Sequence, residues 1–272
     1  MTALQALNWS LRLDYTFIFR VPDIPLVQKI SFILKKYRIY LKNIFFGDSG
    51  INHATIFGID YFYNESYGLA SLQRVYCASY RLKRLLPSHP SVVDVGSNIG
   101  QFTFFCRHYL QAKRIISIEP LKDCHEVLKT NSADPSACLN FIVTRDPGEK
   151  RFFCCRETSQ LSSYIKDEHT LYSEGVSLPC RTLNQIIHKT GMETIDLLKV
   201  DTEGSEYDVL LSADEILDRV KVVLVEMSVF RNCSGTIFKT GAYLNEQGFT
   251  LEALESWHGD RPKDVDAIFK KE

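Results

Sequence analysis

The sequence predicts an α/β fold. The expected core is a mostly parallel sheet with helices on both faces and an antiparallel hairpin at its end. A helical extension precedes it. Three observations predict this. From Ser91 onward, short apolar runs alternate with stretches of helical periodicity. The runs are near-continuous in Val, Ile and Leu, which marks strands buried on both faces. Several of them end at a glycine or a carboxylate, and ligands of open α/β sheets bind beyond the carboxyl ends of strands.

Residues 1–79 read as the extension and residues 80–272 as the sheet-bearing domain. The spacing predicts a helix from Pro25 to Phe46, with Leu26, Ile30, Ile33 and Leu34 on one stripe. Lys29, Lys35, Lys36, Arg38 and Lys42 make it basic. The preferred expectation is a helix packed on the domain with its basic face in solvent. A membrane-surface or substrate-docking helix is the alternative. Residues 51–63, around Gly58, predict a short strand pair. A helix follows from Ser71 to Leu86, stopped by Pro87. The strand runs are Ser91–Val95, Arg114–Ile118, Leu139–Thr144, Ile195–Val200 and Val220–Glu226. Helices fit between them near Gln101–Leu110, Asp123–Thr130, Thr182–His188 and Glu206–Leu211. Residues 145–180 interrupt the alternation, with Arg151–Cys155 and Val176–Cys180 read as an inserted hairpin. Gly248–Leu254 and Val265–Lys270 predict the terminal hairpin, so the main sheet has seven strands.

Bulk properties exclude some functions. The 272 residues are 45% hydrophobic and 24% charged, enough to bury a real core. The formal net charge is −1, so no whole-molecule field draws the chain to nucleic acid, and no nucleic-acid partner is expected. No apolar stretch reaches about 18 residues, so no membrane span is expected. The eight cysteines include no C-x-x-C pair, which argues against a zinc cage. No export signal is legible, so a cytoplasmic protein with reduced thiols is expected. Homo-oligomerisation is left open.

Four segments carry chemistry. Val92-Val93-Asp94-Val95 runs into Gly96-Ser97-Asn98-Ile99-Gly100, a strand, a glycine turn and a helix start. Dinucleotide sites use G-x-G-x-x-G, and a carboxylate beside a pyrophosphate is repulsive. The spacing here is G-x-x-x-G with Asp94 in the strand end. That suits a cationic sulfonium, S-adenosyl-L-methionine, better than NAD. Gly96, Ser97, Asn98 and Gly100 are its candidate backbone contacts. About twenty residues further on, Glu119-Pro120 ends the second strand, where a carboxylate accepts hydrogen bonds from both ribose hydroxyls. Thr144, after the third run, is a candidate at the adenine edge. Asp201-Thr202-Glu203-Gly204-Ser205-Glu206 then places three carboxylates just past a buried strand. Asp201 is the functional candidate among them, and Glu206 is read as a helix-start cap. Lys199, unusual in an apolar run, is expected to pair with one of these acids. Glu226 ends the next strand.

These residues resemble the FkbM family of methyltransferases. The resemblance rests on Val93 to Gly100, on Ile118-Glu119-Pro120, on Thr182-Leu183 and above all on Asp196 to Glu206. It extends over about residues 85–270 and leaves residues 1–60 outside. Ser97 stands where the family often has alanine and Thr202 where it often has valine, and neither removes a functional group. The resemblance implies a Rossmann-like class I methyltransferase fold and S-adenosyl-L-methionine as cofactor. It implies cofactor contacts from Asp94, Gly96, Asn98 and Glu119. It also points to O-methylation of a hydroxyl on a sugar or other small secondary metabolite. N-methylation of an amide or amine, and a non-catalytic adenosyl-binding role, stay open. A hydroxyl must lose its proton, so Asp201, Glu203, Glu226 and His258 are candidate bases. Asp201 with Glu203 would also suit Mg²⁺, though no metal is favoured.

Overall fold

The computed structural model describes residues 3–46, 50–64, 68–155, 158–165, 172–173, 175–229, 236–256 and 263–271. Two long helices open the chain, α1 (Ala3–Phe19) and α2 (Leu26–Phe46). A hairpin of β1 (Asn52–Ile56) and β2 (Ile59–Tyr63) turns through Phe57 and Gly58. Both turn residues have positive φ, 53° and 82°. This is the twist a two-residue hairpin loop requires.

Next come α3 (Gly68–Ser79) and the short α4 (Leu82–Leu85). The single helix expected over Ser71–Leu86 is therefore two. Beyond Tyr80 the backbone tightens, with Lys83 N–H donating to the Tyr80 carbonyl and Arg84 N–H to that of Arg81. Leu82, at the break, is fully buried.

The sheet region runs β3 (Ser91–Val95), α5 (Gln101–His108), β4 (Arg114–Ile118), α6 (Lys122–Asn131) and β5 (Cys138–Leu139). After these come β6 (Ile142–Val143), β7 (Gly148–Phe152), β8 (Val176–Arg181), α7 (Leu183–Thr190) and β9 (Ile195–Val200). The chain ends with α8 (Glu206–Leu211), β10 (Val220–Ser228), α9 (Ile237–Glu246), β11 (Phe249–Glu255) and β12 (Asp264–Lys271). Seven strands make the main sheet, in the order β11-β12-β10-β9-β3-β4-β5. β5, β4, β3, β9 and β10 are parallel, and the β11–β12 hairpin adds to β10 antiparallel. The Rossmann-like α/β expectation holds.

The run expected as one strand over Leu139–Thr144 is split. β5 closes the main sheet, whereas β6 leaves it and pairs with β8. With β7 they form a separate three-stranded sheet that contains the expected inserted hairpin. Asn140 stands at the break. Its side-chain amide donates to the carbonyls of Glu119 and Pro120, both at 2.8 Å. Those bonds take the place of a ladder and turn the chain away.

Period-two alternation assigns the sheet faces. Val92, Leu197, Val222, Leu224 and Ile268 join a core built with Leu13, Phe17, Phe32, Leu72 and Phe105 from α1, α2, α3 and α5. Val93, Leu198, Val223 and Phe269 pack on the other side against Ile186, Val209 and Leu244 of α7, α8 and α9. By the same alternation Asp94, Lys199, Glu226 and Asp266 all lie on the first face. They form a polar row near the strand ends.

The basic face expected in solvent on α2 is partly inside. Lys36 is fully buried. Its ammonium donates to Asp14 Oδ1 (2.5 Å), Gln73 Oε1 (2.9 Å) and Ser10 Oγ (3.0 Å). Lys29 donates to the Val21 and Ile18 carbonyls at the end of α1. Such carbonyls have no partner within their own helix, which is the physical reason a lysine turns inward there. Arg38 and Lys42 are exposed. Replacing Lys36 by methionine would strand the Asp14 carboxylate. A loss of about 3–5 kcal/mol is expected in urea unfolding. Adding Asp14→Leu should return most of it.

Candidate functional site

The site begins at the turn after β3. Gly96 has φ of 76°, and a Cβ built there would overlap the carbonyl oxygen of Asp201. Only glycine fits this close crossing of two strand ends. Ser97 ties the turn to β4, its hydroxyl donating to the Asp94 carbonyl (2.8 Å) and accepting from Ile118 N–H (3.0 Å). Asn98 is held at φ of 49°. Its backbone N–H donates to Glu119 Oε2 (2.9 Å). Leu121 N–H donates to the other Glu119 oxygen (2.8 Å). The glycine turn and the carboxylate at the end of β4 thus form one unit.

Lys199 crosses beneath this unit. Its ammonium donates to the Gly96 carbonyl (2.7 Å) and lies 3.3 Å from Asp94 and 3.5 Å from Asp201. Burial alone would favour the neutral amine, but Asp201 and Asp94 outweigh it and raise the lysine above its usual range. The expected pairing of Lys199 with the acids is what the structure shows. Asp94 is completely buried. Thr103 donates to its second oxygen at 2.9 Å.

Beyond Lys199 the acids converge. Asp201, Glu203 and Glu226 bring carboxylate oxygens within 4.8 Å of one another. Asp266, directly opposite Glu226 across the β10–β12 ladder, adds a fourth. Like charges so placed repel. Arg74, from α3, answers them at 3.4 Å from Glu226 and 3.9 Å from Asp266. Burial raises the Glu226 carboxyl well above the usual range, and Asp201 and Glu203 push it further while Arg74 opposes. Glu206 serves a different purpose. Its carboxylate accepts from the N–H groups of Thr202 and Gly204, both at 2.9 Å, so it shapes the acid loop before α8 where a cap on the helix start was expected.

A cleft with about 1240 Å³ of empty space, part of it open to solvent, lies over these groups. Gly96, Ser97, Asn98, Glu119 and Pro120 line one end, and Asp201, Glu203 and Glu226 line the other. Three of the expected contacts stand behind the wall. Asp94 reaches the cleft through Lys199. Gly100, with φ of 90°, starts α5 against Leu128, and Thr144 is buried with its N–H on the Arg181 carbonyl. His258 lies outside the described residues. Sequence reasoning missed Arg74 and Asp266. Asp266 had a signal, an acid inside the apolar strand Val265–Phe269, whereas Arg74 had none.

Burial pushes the Glu119 carboxyl up to about 7, against the pull of the Leu121 and Asn98 N–H groups. Glu206 is likewise pushed up to about 7, against Gly204 and Thr202. Both folded values exceed the ordinary 4.5 of an unfolded glutamate. The folded chain therefore holds protons that the unfolded chain has released. The stability they contribute is full below the unfolded value and is lost as pH rises through about 7. The urea midpoint of the ligand-free protein should fall between about pH 5 and about pH 8. Glu119→Gln should flatten that slope, and a rising profile would contradict the burial argument.

Comparison with known proteins gives this geometry a family. The Methyltransferase FkbM domain matches residues 94–254, which spans the glycine turn, Glu119 and the acid loop. Methyltransferase sdnD of Sordaria araneosa is 30% identical over 200 residues, 61% of this chain and 76% of that protein. Methyltransferase 1 of Beauveria bassiana is 24% identical over 189 residues, 61% of this chain and 74% of that protein. Among solved structures, TYW2 of M. jannaschii in complex with AdoMet covers 84% of this chain and 89% of its own. It does so at 13% identity and a TM-score of 0.43. The chain belongs to the FkbM family of S-adenosyl-L-methionine-dependent methyltransferases.

Proposed function

We propose that this methyltransferase acts on a hydroxyl group of a small acceptor, a sugar or other secondary metabolite. The observation that carries this reading is the convergence of Asp201, Glu203 and Glu226 in the cleft, within 4.8 Å. A hydroxyl attacks only as its proton leaves, and a carboxylate held above its usual range is a better base than a free one. Glu226 is that base in this proposal. Asp201 and Glu203 add to burial in raising its affinity for the proton, and Arg74 opposes them.

The residues fit the cofactor. A side chain at Gly96 would block the close crossing below the cleft, and Glu119 offers a carboxylate to ribose hydroxyls at the edge. Ser97, Asn98 and Pro120 complete that end. When bound, S-adenosyl-L-methionine supplies an electrophilic methyl group on a positively charged sulfur. Glu226 would take the O–H proton as the acceptor oxygen took the methyl group and the sulfur kept the bonding electrons. Holding the three centres in line supplies much of the rate. Asp94 contributes by fixing Lys199 rather than by contact.

The same three carboxylates have the donor chemistry for Mg²⁺. Arg74 and Lys199 already lie against them, however, and a dication would be set beside two fixed positive charges. We therefore favour a metal-independent reaction, with rates unchanged by a chelator.

The test is transfer of a labelled methyl group to a panel of hydroxylated glycosides and the matching amines. Label in an ether product supports the proposal. Label only in amines moves the assignment to N-methylation. Glu226→Gln should lower kcat by about 10²–10⁴-fold while leaving S-adenosylhomocysteine affinity unchanged. Glu119→Ala should instead weaken that affinity by about 1–3 kcal/mol, read by calorimetry.

A further inference from the structure

Two features of the N-terminal helices have no place in methyl transfer. The first is an apolar face turned to solvent. On α1, Leu7, Leu11, Tyr15 and Phe19 recur every fourth residue and are all exposed, Phe19 by 71%. On α2, Ile30, Leu34, Leu41, Ile44 and Phe45 are exposed too, Leu34 by 65% and Phe45 by 75%. At about 100° per residue, each set spans roughly a third of its helix. Tyr37 sits beside the α2 stripe, and its hydroxyl donates to Asp14 of α1 at 2.6 Å. The two stripes therefore flank one seam. Monomeric proteins in water rarely leave so much contiguous apolar surface bare.

The second feature is charge. Residues 1–46 hold seven lysines and arginines against two aspartates, although the whole chain carries −1. Both aspartates are answered, Asp14 by Lys36 and Asp23 by Lys83 at 3.0 Å. Exposed Arg12, Arg20, Arg38 and Lys42 border the apolar stripes. Arg12 and Arg20 also line a small cavity between α1, α3 and β11, together with Tyr15, Tyr80 and Arg81. Arg81 is paired with Glu255. Arg12 and Arg20 have no carboxylate partner among the described residues.

We propose that this face docks the protein onto an anionic phospholipid surface. The apolar stripes enter the boundary between headgroups and acyl chains, and a headgroup phosphate lies between Arg12 and Arg20. Guanidinium groups match phosphate oxygens in shape and charge. An apolar stripe edged by Lys and Arg is the pattern of helices that lie in a membrane interface. No helix among the described residues is long and apolar enough to cross a membrane, so docking is on the surface. A second copy of the chain fits less well. A two-fold interface would bring the same basic rims together, with no unpaired acid on the face among the described residues to answer them.

Flotation of the full chain with lipid vesicles tests this. Binding is expected to vesicles of phosphatidylcholine mixed with phosphatidylserine, to weaken as salt is added, and to be absent with phosphatidylcholine alone. Arg20→Ala should cut partition about fivefold. Leu11→Ser with Leu34→Ser should abolish it, while S-adenosylhomocysteine still stabilises the variant as it does the parent. Failure to float with either vesicle overturns the proposal, as does flotation that the double variant leaves intact. Stabilisation by inorganic phosphate without flotation would assign the arginines to a free anion and overturn it. A dimer that the double variant splits would give the face to a second copy.

Discussion

The structure depends on one buried cation. Lys199 sits near the carboxyl end of an apolar strand, on the sheet face that carries the site, with a side chain only 8% exposed. A lone ammonium there would be intolerable, and its partners make it stable. Asp94 answers it from β3, Asp201 from the end of its own strand, and the Gly96 carbonyl caps it. These three partners belong to the glycine turn and the acid loop. The lysine therefore fixes two loops against each other across neighbouring strands. Removing it would leave Asp94 buried without its cation, at a cost of several kcal/mol. The crossing of Gly96 over Asp201 exists because both loops are drawn to the same point.

Much of this was legible in the sequence. The near-continuous runs and glycine turn gave the sheet because buried parallel strands have no other pattern. Glu119, Asp201 and Glu226 were found because each stands at the end of such a run, and Glu203 because it follows one closely. Other parts depend on information that periodicity does not hold. Arg74 reaches Glu226 from 152 residues away in sequence, and nothing in an amphipathic helix marks which arginine does so. Asp266 was visible in principle, since it shares parity with buried Ile268. Asn140 broke the third run by replacing a ladder with side-chain bonds, which apolar content alone does not reveal. Helical spacing found the stripe on α2 but not its direction. Leu26, Ile30 and Leu34 of that stripe face out, while Ile33 packs on the core, because Asp14, Gln73 and the carbonyls ending α1 draw two lysines in.

Helix α3 joins these two halves of the molecule. Gln73 points toward the N-terminal helices, where it accepts from Lys36 and donates to Asp14 at 2.8 Å. Arg74, the next residue, points at the acids of the cleft. Ser71, on the same helix, accepts from Gln160 at 2.8 Å across the cleft wall. One helix thus carries both the amide that ties down the N-terminal helices and the cation that balances Glu226. The site includes charge supplied from outside the stretch that matches the family.

The charges in and beneath the cleft fit the proposed chemistry as a set. Asp94, Asp201, Glu203, Glu226 and Asp266 face two fixed cations, Lys199 and Arg74. The excess is negative, and it would destabilise an empty pocket if every carboxylate were ionised. Burial resolves this by raising Glu226 and Asp266. A sulfonium brings one positive charge into this environment. Transfer of the methyl group would remove that charge from sulfur, and the acceptor's proton would neutralise a carboxylate. The net charge of the cleft is then the same before and after the step. A preorganised site gains from this, because its fixed dipoles need not reorient as the reaction proceeds. A dication would add to the two cations, Arg74 and Lys199, that already lie against these carboxylates.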